Sequence, residues 1–237
     1  MMKINRDSLF MFFGDKQHEL SMKEIKESRF SLSLKTVINN FGINNFIVQD
    51  QIHSNQGICI EDMDIASTES WFEYQSDFVI TQKKDYALVS LTADCVSLVL
   101  HDPKTQTIGV VHSGWKGSAS DVVFNALAAM QERFGVHLSD VECFFSPSAK
   151  ACCYKVTEEF LDHFKHFDYG QEAFIKKQDG FYFDNGLFLR EGLKKFGIRA
   201  QNIYTNAELC SICNVAFCSF RRDRELAGRQ VTIVALR

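Results

Sequence analysis

Residues 93–117 read ADCVSLVLHDPKTQTIGVVHSGWKG, in which two apolar runs flank a short polar turn. Such runs predict neighbouring β-strands, here over residues 96–100 and 107–111. Cys95 stands directly before the first run, and His112 stands directly after the second. If the two strands pair as a hairpin, the thiol and the imidazole come together, as they do in a metal site or in a nucleophile with its base.

The rest of the chain repeats one pattern, in which a helix is followed by glycine and then by a strand. Three helical apolar patterns end at Phe-Gly pairs, at residues 41–42, 134–135 and 196–197. Glycine in this position adopts the left-handed conformation that caps a helix. Strands are predicted at residues 45–49, 77–81, 86–92, 141–145, 202–205 and 230–236, with a short helix at 157–164. We therefore predict one mixed α/β domain over residues 1–237, with duplicated helix–strand units.

The composition is that of an ordinary globular protein. Of the 237 residues, 46% are hydrophobic and 24% are charged, which allows a sizeable core. The net charge of −4 provides no basic field to attract nucleic acid or an anionic membrane, and no segment approaches the roughly 18 consecutive apolar residues of a membrane span. The first residues, MMKINRDS, lack the apolar region of a secretory signal. We therefore expect a cytoplasmic protein whose eight cysteines are reduced.

A second imidazole completes a candidate ligand set, since His53 also ends an apolar run. Two imidazoles and one thiolate suit zinc, and three protein ligands leave a fourth position open. Zinc in such a site lowers the pKa of a bound water to about 7. Spacing alone leaves two alternatives open: a buried cysteine with two locally bonded histidines, or a thiol hydrolase with Cys95 as nucleophile and His112 as its base.

Asp94 precedes the thiol directly in the sequence. In a regular strand, neighbouring side chains point to opposite faces, so this carboxylate reaches the same site only if the backbone bulges. It would then serve as a general acid and base, or orient an imidazole. The alternative is a turn residue that bonds its own backbone.

Candidate substrate-binding side chains lie in two segments. In residues 112–117, glycines allow a ligand to approach the backbone, Lys116 adds positive charge, and Trp115 offers a flat ring for stacking. Near the C-terminus, Arg221 and Arg229 offer forked contacts to phosphate or carboxylate. The alternatives are a tight strand–helix connection with a core tryptophan, and a solvated, salt-bridged surface.

Two further cysteine pairs stand outside this group. Residues 210–213 form a lone CxxC motif, and Cys152 and Cys153 are adjacent. A zinc site built on CxxC needs a second pair, and the segment does not resemble a thioredoxin motif. We therefore expect incidental or buried structural thiols in both places, rather than a metal or redox site.

Taken together, these motifs resemble the laccase-domain family, also called YfiH-like or multicopper polyphenol oxidoreductase proteins. The resemblance covers nearly the whole chain. The matching motifs are QIH at 51–53, ADC at 93–95, HSGWKG at 112–117, SPS at 146–148 with CYKV at 153–156, and SFRRD at 219–223 with GR at 228–229. The chain departs from the family pattern at Lys116, Ser146, Lys155 and Phe220, where the family usually has Arg, Gly, Glu and Tyr.

The resemblance implies a fold, a ligand set and an activity. The fold is a sandwich of mixed sheets flanked by helices, similar to bacterial cysteine deamidase toxins. His53, Cys95 and His112 match the family's metal-binding triad, and Arg29 matches a helix arginine of the family, which puts it among the predicted substrate- and phosphate-binding residues. The implied activity is phosphorolysis of adenosine, inosine and methylthioadenosine, together with adenosine deamination. An older assignment within the family is copper-dependent oxidation of polyphenols.

The number and spacing of the histidines distinguish nucleoside chemistry from copper-dependent oxidation. A four-copper laccase centre needs many imidazoles in close pairs, whereas this chain has seven histidines and no His-x-His motif. Zinc-dependent nucleoside chemistry is therefore the favoured hypothesis, with copper as the alternative metal. The expected partners are a purine nucleoside and phosphate. In this hypothesis Asp94 carries a proton, Lys116, Arg221 and Arg229 hold phosphate, and Trp115 or Phe220 stacks on the base.

Overall fold

Two six-stranded β-sheets form the centre of the computed structural model, which describes residues 2–6, 8–40, 42, 45–61, 69–84 and 86–237. The first sheet has the spatial order β1 (Met2–Arg6), β2 (Leu9–Phe13), β15 (Gln230–Leu236), β7 (Tyr86–Thr92), β3 (Asn45–Asp50) and β5 (Glu69–Gln75). The second has the order β14 (Ile203–Tyr204), β10 (Glu142–Phe145), β8 (Val96–Asp102), β9 (Thr107–Ser113), β6 (Phe78–Thr81) and β4 (Gly57–Ile60). A small third sheet contains β11 (Lys155–Val156), β13 (Gly180–Phe183) and β12 (Phe174–Lys177).

Both large sheets are mixed. In the first, β3 runs parallel to β5 and β7, while β2, β15 and β7 are antiparallel neighbours. In the second, β4 is parallel to β6 and β10 is parallel to β14, whereas β8 and β9 pair antiparallel. The predicted hairpin is therefore confirmed, and Ser97 pairs with His112 in its register.

Helices cover the outer faces of the two sheets. The described residues form α1 (Met22–Lys26), α2 (Leu32–Asn40), α3 (Trp115–Ala119), α4 (Val122–Phe134), α5 (Asn185–Lys195) and α6 (Phe220–Asp223). They also form short 3-10 helices at Lys16–His18, Leu138–Asp140, Glu159–Phe164, Gln171–Ala173, Ala200–Asn202 and Arg224–Leu226. Within the described ranges, no helix has the length and the hydropathy needed to cross a membrane.

Side chains of alternating direction on the strands create three apolar cores. On β2, Met11 packs between the sheets with Val99 and Val110 of the second sheet. Its neighbour Phe12 faces the opposite side, in the core that the first sheet forms with α2. The outer face of the second sheet packs against α4 and α5 through residues such as Leu98. The architecture is thus helix, sheet, sheet, helix, and the predicted fold class is confirmed; its similarity to cysteine deamidase toxins stays a prediction.

The glycine caps lie where the sequence predicts them. Gly135 and Gly197 follow α4 and α5 with φ of 65° and 98°, and the next residue in each case donates its N–H to a carbonyl of the last turn. Gly42, with φ of 64°, follows α2. The flanking residues Phe41 and Ile43 of that first pattern lie outside the described residues.

Two helical segments differ from expectation. The segment predicted as a helix over 157–164 is the 3-10 helix Glu159–Phe164, whose tighter turn suits a short connection. Serine is a favoured N-cap, so the sequence predicts that the helix after His112 begins at Ser118 or Ser120, whereas it begins at Trp115, inside the HSGWKG motif. Gly114 serves as its N-cap in an extended conformation, with φ of −74° and ψ of 174°.

Candidate metal centre and its cavity

Four chain segments meet at one edge of the sandwich. The connections that follow β3, β5 and β7 each pass from the first sheet to the second, and these three strands are parallel, so all three connections leave from the same edge. They carry His53, Asp77 and Cys95 respectively. β9 is antiparallel to β6 and β8, so its last residues, including His112, return to this edge.

The three candidate ligand side chains converge there. The ligand atoms of His53, Cys95 and His112 all lie within 4.8 Å of one another. Sγ of Cys95 lies 3.8 Å from Nε2 of His53, and the two imidazole rings meet edge to face with centroids 4.7 Å apart. His53 has a φ of 59°, a left-handed conformation that is unusual for a residue with a side chain. Two nitrogen donors and one sulfur donor at this separation fit a divalent metal with an open fourth position.

A buried carboxylate fixes the orientation of His112. Nδ1 of His112 lies 2.8 Å from Oδ1 of Asp77, whose side chain is fully buried. With Nδ1 donating to this carboxylate, Nε2 is left free for an ion, as in the carboxylate–histidine pairs of metal sites. The hydroxyl of Ser54 donates to the other oxygen of Asp77 at 2.7 Å, and the amide of His53 donates to Oδ1 at 3.1 Å. Asp77 therefore positions both imidazole-bearing segments.

The electrostatics favour ionised groups at this centre. Burial alone would raise the pKa of Cys95, but His112 and His53 outweigh it and lower the pKa to about 6. Burial alone would lower the pKa of His112, but Cys95 and Asp77 raise it to about 9. Burial raises the pKa of Asp77, and hydrogen bonds from His112 and Ser54 reverse that effect and lower it. Without a metal, these residues form a thiolate–imidazolium–carboxylate array.

Gly114 leaves room for this arrangement. A Cβ atom at Gly114 would lie 2.9 Å from Sγ of Cys95 and 3.0 Å from Cδ2 of His53. Both separations are shorter than van der Waals contact, so any side chain would displace a candidate ligand. The first glycine of the HSGWKG motif is therefore required by the packing of the site.

Asp94 stands at the bend between β7 and β8, with a φ of 86°. Its Oδ1 accepts a hydrogen bond from the hydroxyl of Ser211 at 2.7 Å, and its Oδ2 accepts one from the amide of Arg221 at 2.6 Å. The irregular backbone that the sequence argument requires is present. The carboxylate anchors the C-terminal segment to the site, and its role as a proton carrier stays a prediction.

A cavity of about 580 Å³ opens onto the candidate ligands, a volume that suits a small organic ligand. Its wall includes Gln49, Thr92 and Asn185, each at most 4% exposed. Both side-chain polar atoms of Gln49, the hydroxyl of Thr92 and Oδ1 of Asn185 find no hydrogen-bond partner within the described part of the chain. Buried polar atoms usually have partners, so these side chains mark a place where an ordered water or a polar ligand would complete the hydrogen bonding.

The predicted substrate-binding residues divide into two groups. Trp115, Arg221 and Arg229 line the cavity. The guanidinium of Arg221 lies 4.8 Å from the centre of the Tyr154 ring and donates to the carbonyl oxygen of Lys155 at 3.2 Å. Nη1 of Arg229 donates to the carbonyl oxygens of Ala227 and Gly228 at 2.8 and 3.1 Å. Among the described residues, Nε and Nη1 of Arg221 and Nε and Nη2 of Arg229 therefore remain available to an anion.

Lys116 and Arg29 belong to the second group, because neither lies among the described residues that form the cavity wall. Lys116 is exposed, with Nζ 5.8 Å from the centre of the Trp115 ring. Arg29 is exposed and pairs with Glu27 and Glu24 at 2.5 and 3.9 Å. The roles that sequence reasoning gave to these two residues stay predictions without support from this geometry.

The expectation for the remaining cysteines was wrong in one respect: the CxxC motif does have a second pair. Cys210 and Cys213 come together with Cys152 and Cys153, and the four thiols lie within 4.8 Å of one another. Cys152 and Cys213 are exposed rather than buried. All eight cysteines are free.

Sequence reasoning also missed Asp77 and Gln49 as functional residues. Asp77 was treated only as the first residue of a predicted strand. An acidic residue directly before the apolar run 78–80 is a weak signal, because turn-forming aspartates occupy such positions often. Gln49 ends a run of four buried residues, so an amide inside an apolar strand is the signal available there.

The fold and the site together define a class of protein: a helix–sheet–sheet–helix sandwich with a candidate His/Cys metal centre at one edge. The family model described as multi-copper polyphenol oxidoreductase laccase matches residues 23–237. The chain belongs to this family.

Curated relatives carry one functional name. The chain is 30% identical to the purine nucleoside phosphorylase of Borreliella burgdorferi, over 92% of this chain and 89% of the relative. It is also 30% identical to a purine nucleoside phosphorylase of Clostridium acetobutylicum, over 92% of this chain and 97% of the relative. Among solved structures, the hypothetical protein YfiH of Bacillus licheniformis is similar with a TM-score of 0.85 and 24% identity, over 97% of this chain and 93% of the other. The last similarity concerns the fold alone.

Proposed function

We propose that this chain catalyses phosphorolysis of purine nucleosides in the cavity, with zinc held by His53, Cys95 and His112. The observation that carries the proposal is that these three side chains face a cavity that also offers arginines and buried polar atoms without partners. The name of the two curated relatives supports the substrate class. Zinc in a site with three protein ligands supplies a Lewis acid at its open position.

In this proposal, different residues of the cavity bind the phosphate, the base and the ribose. Arg221 and Arg229 bind phosphate through forked hydrogen bonds. An oxygen of that phosphate attacks C1′ of the ribose, the bond from C1′ to the purine nitrogen breaks, and the base leaves with a proton. The products are the free purine and ribose 1-phosphate. The ring of Trp115 or Phe220 stacks on the base, and the buried amides of Gln49 and Asn185 bind its polar edge or the ribose hydroxyls.

Adenosine deamination is a second activity that we propose for the same cavity. In that reaction, water replaces the amino group at C6, and ammonia leaves. Asp94 is the proposed proton carrier, since its carboxylate lies in the cavity wall. Its two present hydrogen bonds, from Ser211 and Arg221, hold it in one orientation.

Zinc is favoured over copper by the number of imidazoles available. Among the described residues, two groups bring three or more potential ligands together, and His53 and His112 are the histidines in them. A laccase centre with several coppers needs more imidazoles than this. A single copper at the triad remains the alternative metal, and metal analysis of protein purified without an affinity tag distinguishes the two.

One observation favours a second candidate function, a thiol hydrolase or amidase. Cys95, His112 and Asp77 form a thiolate, a base and an orienting carboxylate, which is the arrangement of cysteine nucleophiles. Metal content separates the two functions. A metal-free protein that turns over an amide or ester and is inactivated by alkylation of Cys95 supports the hydrolase.

The test of the main proposal is a product assay on protein of measured zinc content. Adenosine, inosine and methylthioadenosine are each incubated with and without phosphate, and the products are separated by chromatography. We expect free purine only with phosphate present, and inosine from adenosine in either case. Zinc-loaded protein that releases no purine contradicts phosphorolysis, and activity that survives complete zinc removal contradicts zinc dependence.

The cellular location follows from the same thiol chemistry. Eight free cysteines, two of them exposed, persist in a reducing compartment. We therefore infer that the protein works in the cytoplasm, where fractionation of cells should find it.

A further inference from the structure

A second cluster of metal-binding side chains lies outside the cavity. Cys152 and Cys153 belong to the turn after β10, and Cys210 and Cys213 belong to the loop after β14. About sixty residues separate the two pairs in the sequence, yet all four sulfur atoms lie within 4.8 Å of one another. None of these thiols takes part in the proposed nucleoside chemistry.

The separations of the sulfur atoms match one tetrahedral ion. Four thiolates bound to zinc at about 2.3 Å lie about 3.8 Å from one another. Sγ of Cys152 and Sγ of Cys213 are 3.9 Å apart. In an iron–sulfur cluster the four thiolates are divided among two or four iron atoms, so they cannot all lie as close together as four thiolates around a single ion. The observed spacing therefore fits a mononuclear site.

The backbone around the CxxC motif is arranged to stabilise a thiolate. Backbone N–H groups of Cys213, Lys150 and Ile212 donate towards the sulfur of Cys210, and the thiol of Cys152 lies beside it. Two of these donors lie two and three residues after Cys210, where the loop folds around its sulfur. Such donors orient a ligating sulfur and tune its charge in metal sites.

A disulfide explains the cluster less well. A disulfide between Cys152 and Cys213 would use two of the four sulfur atoms and would leave Cys153 and Cys210 beside it without a role. It would also require the two sulfur atoms to approach to about 2.05 Å, from the 3.9 Å observed. One ion bound by all four thiolates accounts for every member of the cluster.

We propose that Cys152, Cys153, Cys210 and Cys213 bind one zinc ion in a closed, structural site. Four protein ligands leave no position for water or substrate, so this site does not catalyse. The inference does not rest on the function proposed for the cavity. Its ligands come from two loops that the sheets bring together, and the ion joins those loops.

The loop that carries Cys210 and Cys213 also contacts residues of the cavity wall. Ser211 lies inside the CxxC motif, and its hydroxyl donates to Asp94 at 2.7 Å. Nη1 of Arg222 donates to the carbonyl oxygens of Ser211 and Ile212 at 2.9 and 3.0 Å. The backbone of Ser211 also bonds to Ser148 at 2.9 Å. An ion at the four thiols would therefore hold Ser211 in place and, through it, the carboxylate of Asp94.

The test uses the full chain with both histidines of the cavity triad removed. A variant with His53→Ala and His112→Ala keeps all four thiols of the cluster. It is expressed without an affinity tag, purified under reducing conditions, and analysed for zinc and by X-ray absorption. We expect about one zinc per chain with four sulfur ligands at about 2.3 Å.

Two further variants in this background serve as probe and control. Cys210→Ser with Cys213→Ser should lose the zinc, whereas Cys59→Ser, which removes a free thiol outside both clusters, should retain it. In the wild-type chain, Co²⁺ added to chelator-treated protein should produce the intense absorption of a tetrahedral thiolate complex. That measurement keeps the proposal testable if a variant misfolds.

Three results would overturn the proposal. The first is a folded variant with His53→Ala and His112→Ala that contains no zinc and binds no Co²⁺. The second is zinc with fewer than four sulfur ligands in that variant. The third is a disulfide between Cys152 and Cys213 in protein kept under reducing conditions. Loss of nucleoside turnover with the cluster zinc intact would concern the cavity alone.

Discussion

The two cysteine-containing clusters of this molecule differ in ligands, surroundings and openness. His53, Cys95 and His112 supply three mixed ligands and face a cavity. Cys152, Cys153, Cys210 and Cys213 supply four sulfur ligands from surface loops, of which two are exposed. A site with three ligands keeps a position for substrate, whereas a site with four is complete. Under the two proposals, one chain would use the same ion for chemistry in one place and for cross-linking in another.

The clusters also differ in how their ligands are held. A buried carboxylate, Asp77, orients His112 in the cavity cluster. Backbone N–H groups interact with Cys210 in the four-thiol cluster. A carboxylate makes its imidazole more basic, while amide donors disperse the charge of a thiolate. The first arrangement suits a reactive centre and the second a stable clamp.

The largest expected effect is the loss of a cavity ligand. His112→Ala should lower turnover of nucleosides by at least about 100-fold, because it removes a proposed ion ligand and takes one hydrogen-bond partner from the buried Asp77. The zinc of the four-thiol cluster should remain. The matched control is His137→Ala, an exposed histidine with no side-chain hydrogen bond at its helix cap. Turnover that survives in His112→Ala would remove the basis for treating this cluster as the reactive one.

Substitution of Asp77, which orients His112, should reduce nucleoside turnover less than the loss of His112 itself. Asp77→Asn should lower turnover by about 10–100-fold, since the amide no longer fixes the charge and orientation of His112. Kinetic assays at several zinc concentrations measure the effect. Asp168→Asn, which changes a surface carboxylate paired with Lys195, is the control. Equal effects of the two substitutions would show that Asp77 plays no special part.

The reactivity of Cys95 should differ from that of Cys152 in metal-free protein. The pKa of Cys95 is about 6, whereas the pKa of Cys152 is raised, first by burial and then by neighbouring thiols. Cys95 is therefore a thiolate above about pH 6 and is protonated below it, while Cys152 is still a thiol at neutral pH. Iodoacetamide at pH 7 should modify Cys95 at least about ten times faster, as mass spectrometry can follow.

The pH dependence of the alkylation of Cys95 gives a second test of its lowered pKa. The rate at Cys95 should fall as the pH drops through about 6, and His112→Ala should move that midpoint upwards because the imidazolium no longer stabilises the thiolate. A midpoint for Cys95 near that of an ordinary thiol would mean that the His112 pair does not form in solution.

The smallest effect should come from substitution of Ser211, which connects the four-thiol cluster to Asp94 in the cavity wall. Ser211→Ala removes a hydrogen bond to the carboxylate of Asp94, which we expect to lower the free energy of unfolding by about 1.5 kcal/mol. Turnover should fall by less than the roughly tenfold minimum expected for Asp77→Asn. Denaturant unfolding and kinetics measure both effects. If neither changes, the four-thiol cluster does not support the cavity through Ser211.

Most of the elements were predictable because local patterns determine them. The strands 86–92 and 230–236 have the bounds that the sequence predicts, and the caps at Gly135 and Gly197 follow from the conformational freedom of glycine. The helix expected at 157–164 is a 3-10 helix, because packing decides the conformation of so short a segment. His53 groups with Cys95 and His112 because all three stand at the ends of apolar runs, and the resemblance to a family marks the same three residues as a triad.

By itself, the sequence determined the mixed α/β class, the hairpin that carries Cys95 and His112, and the family of the chain. Only the tertiary structure decided that Asp77 meets His112 and that Lys116 and Arg29 lie outside the cavity wall. It also decided that two cysteine pairs some sixty residues apart in the sequence lie next to each other. The physical reason is the range of the interactions. Periodicity and capping act within a few residues, whereas the pairing of two sheets and the connections between them set which distant side chains meet.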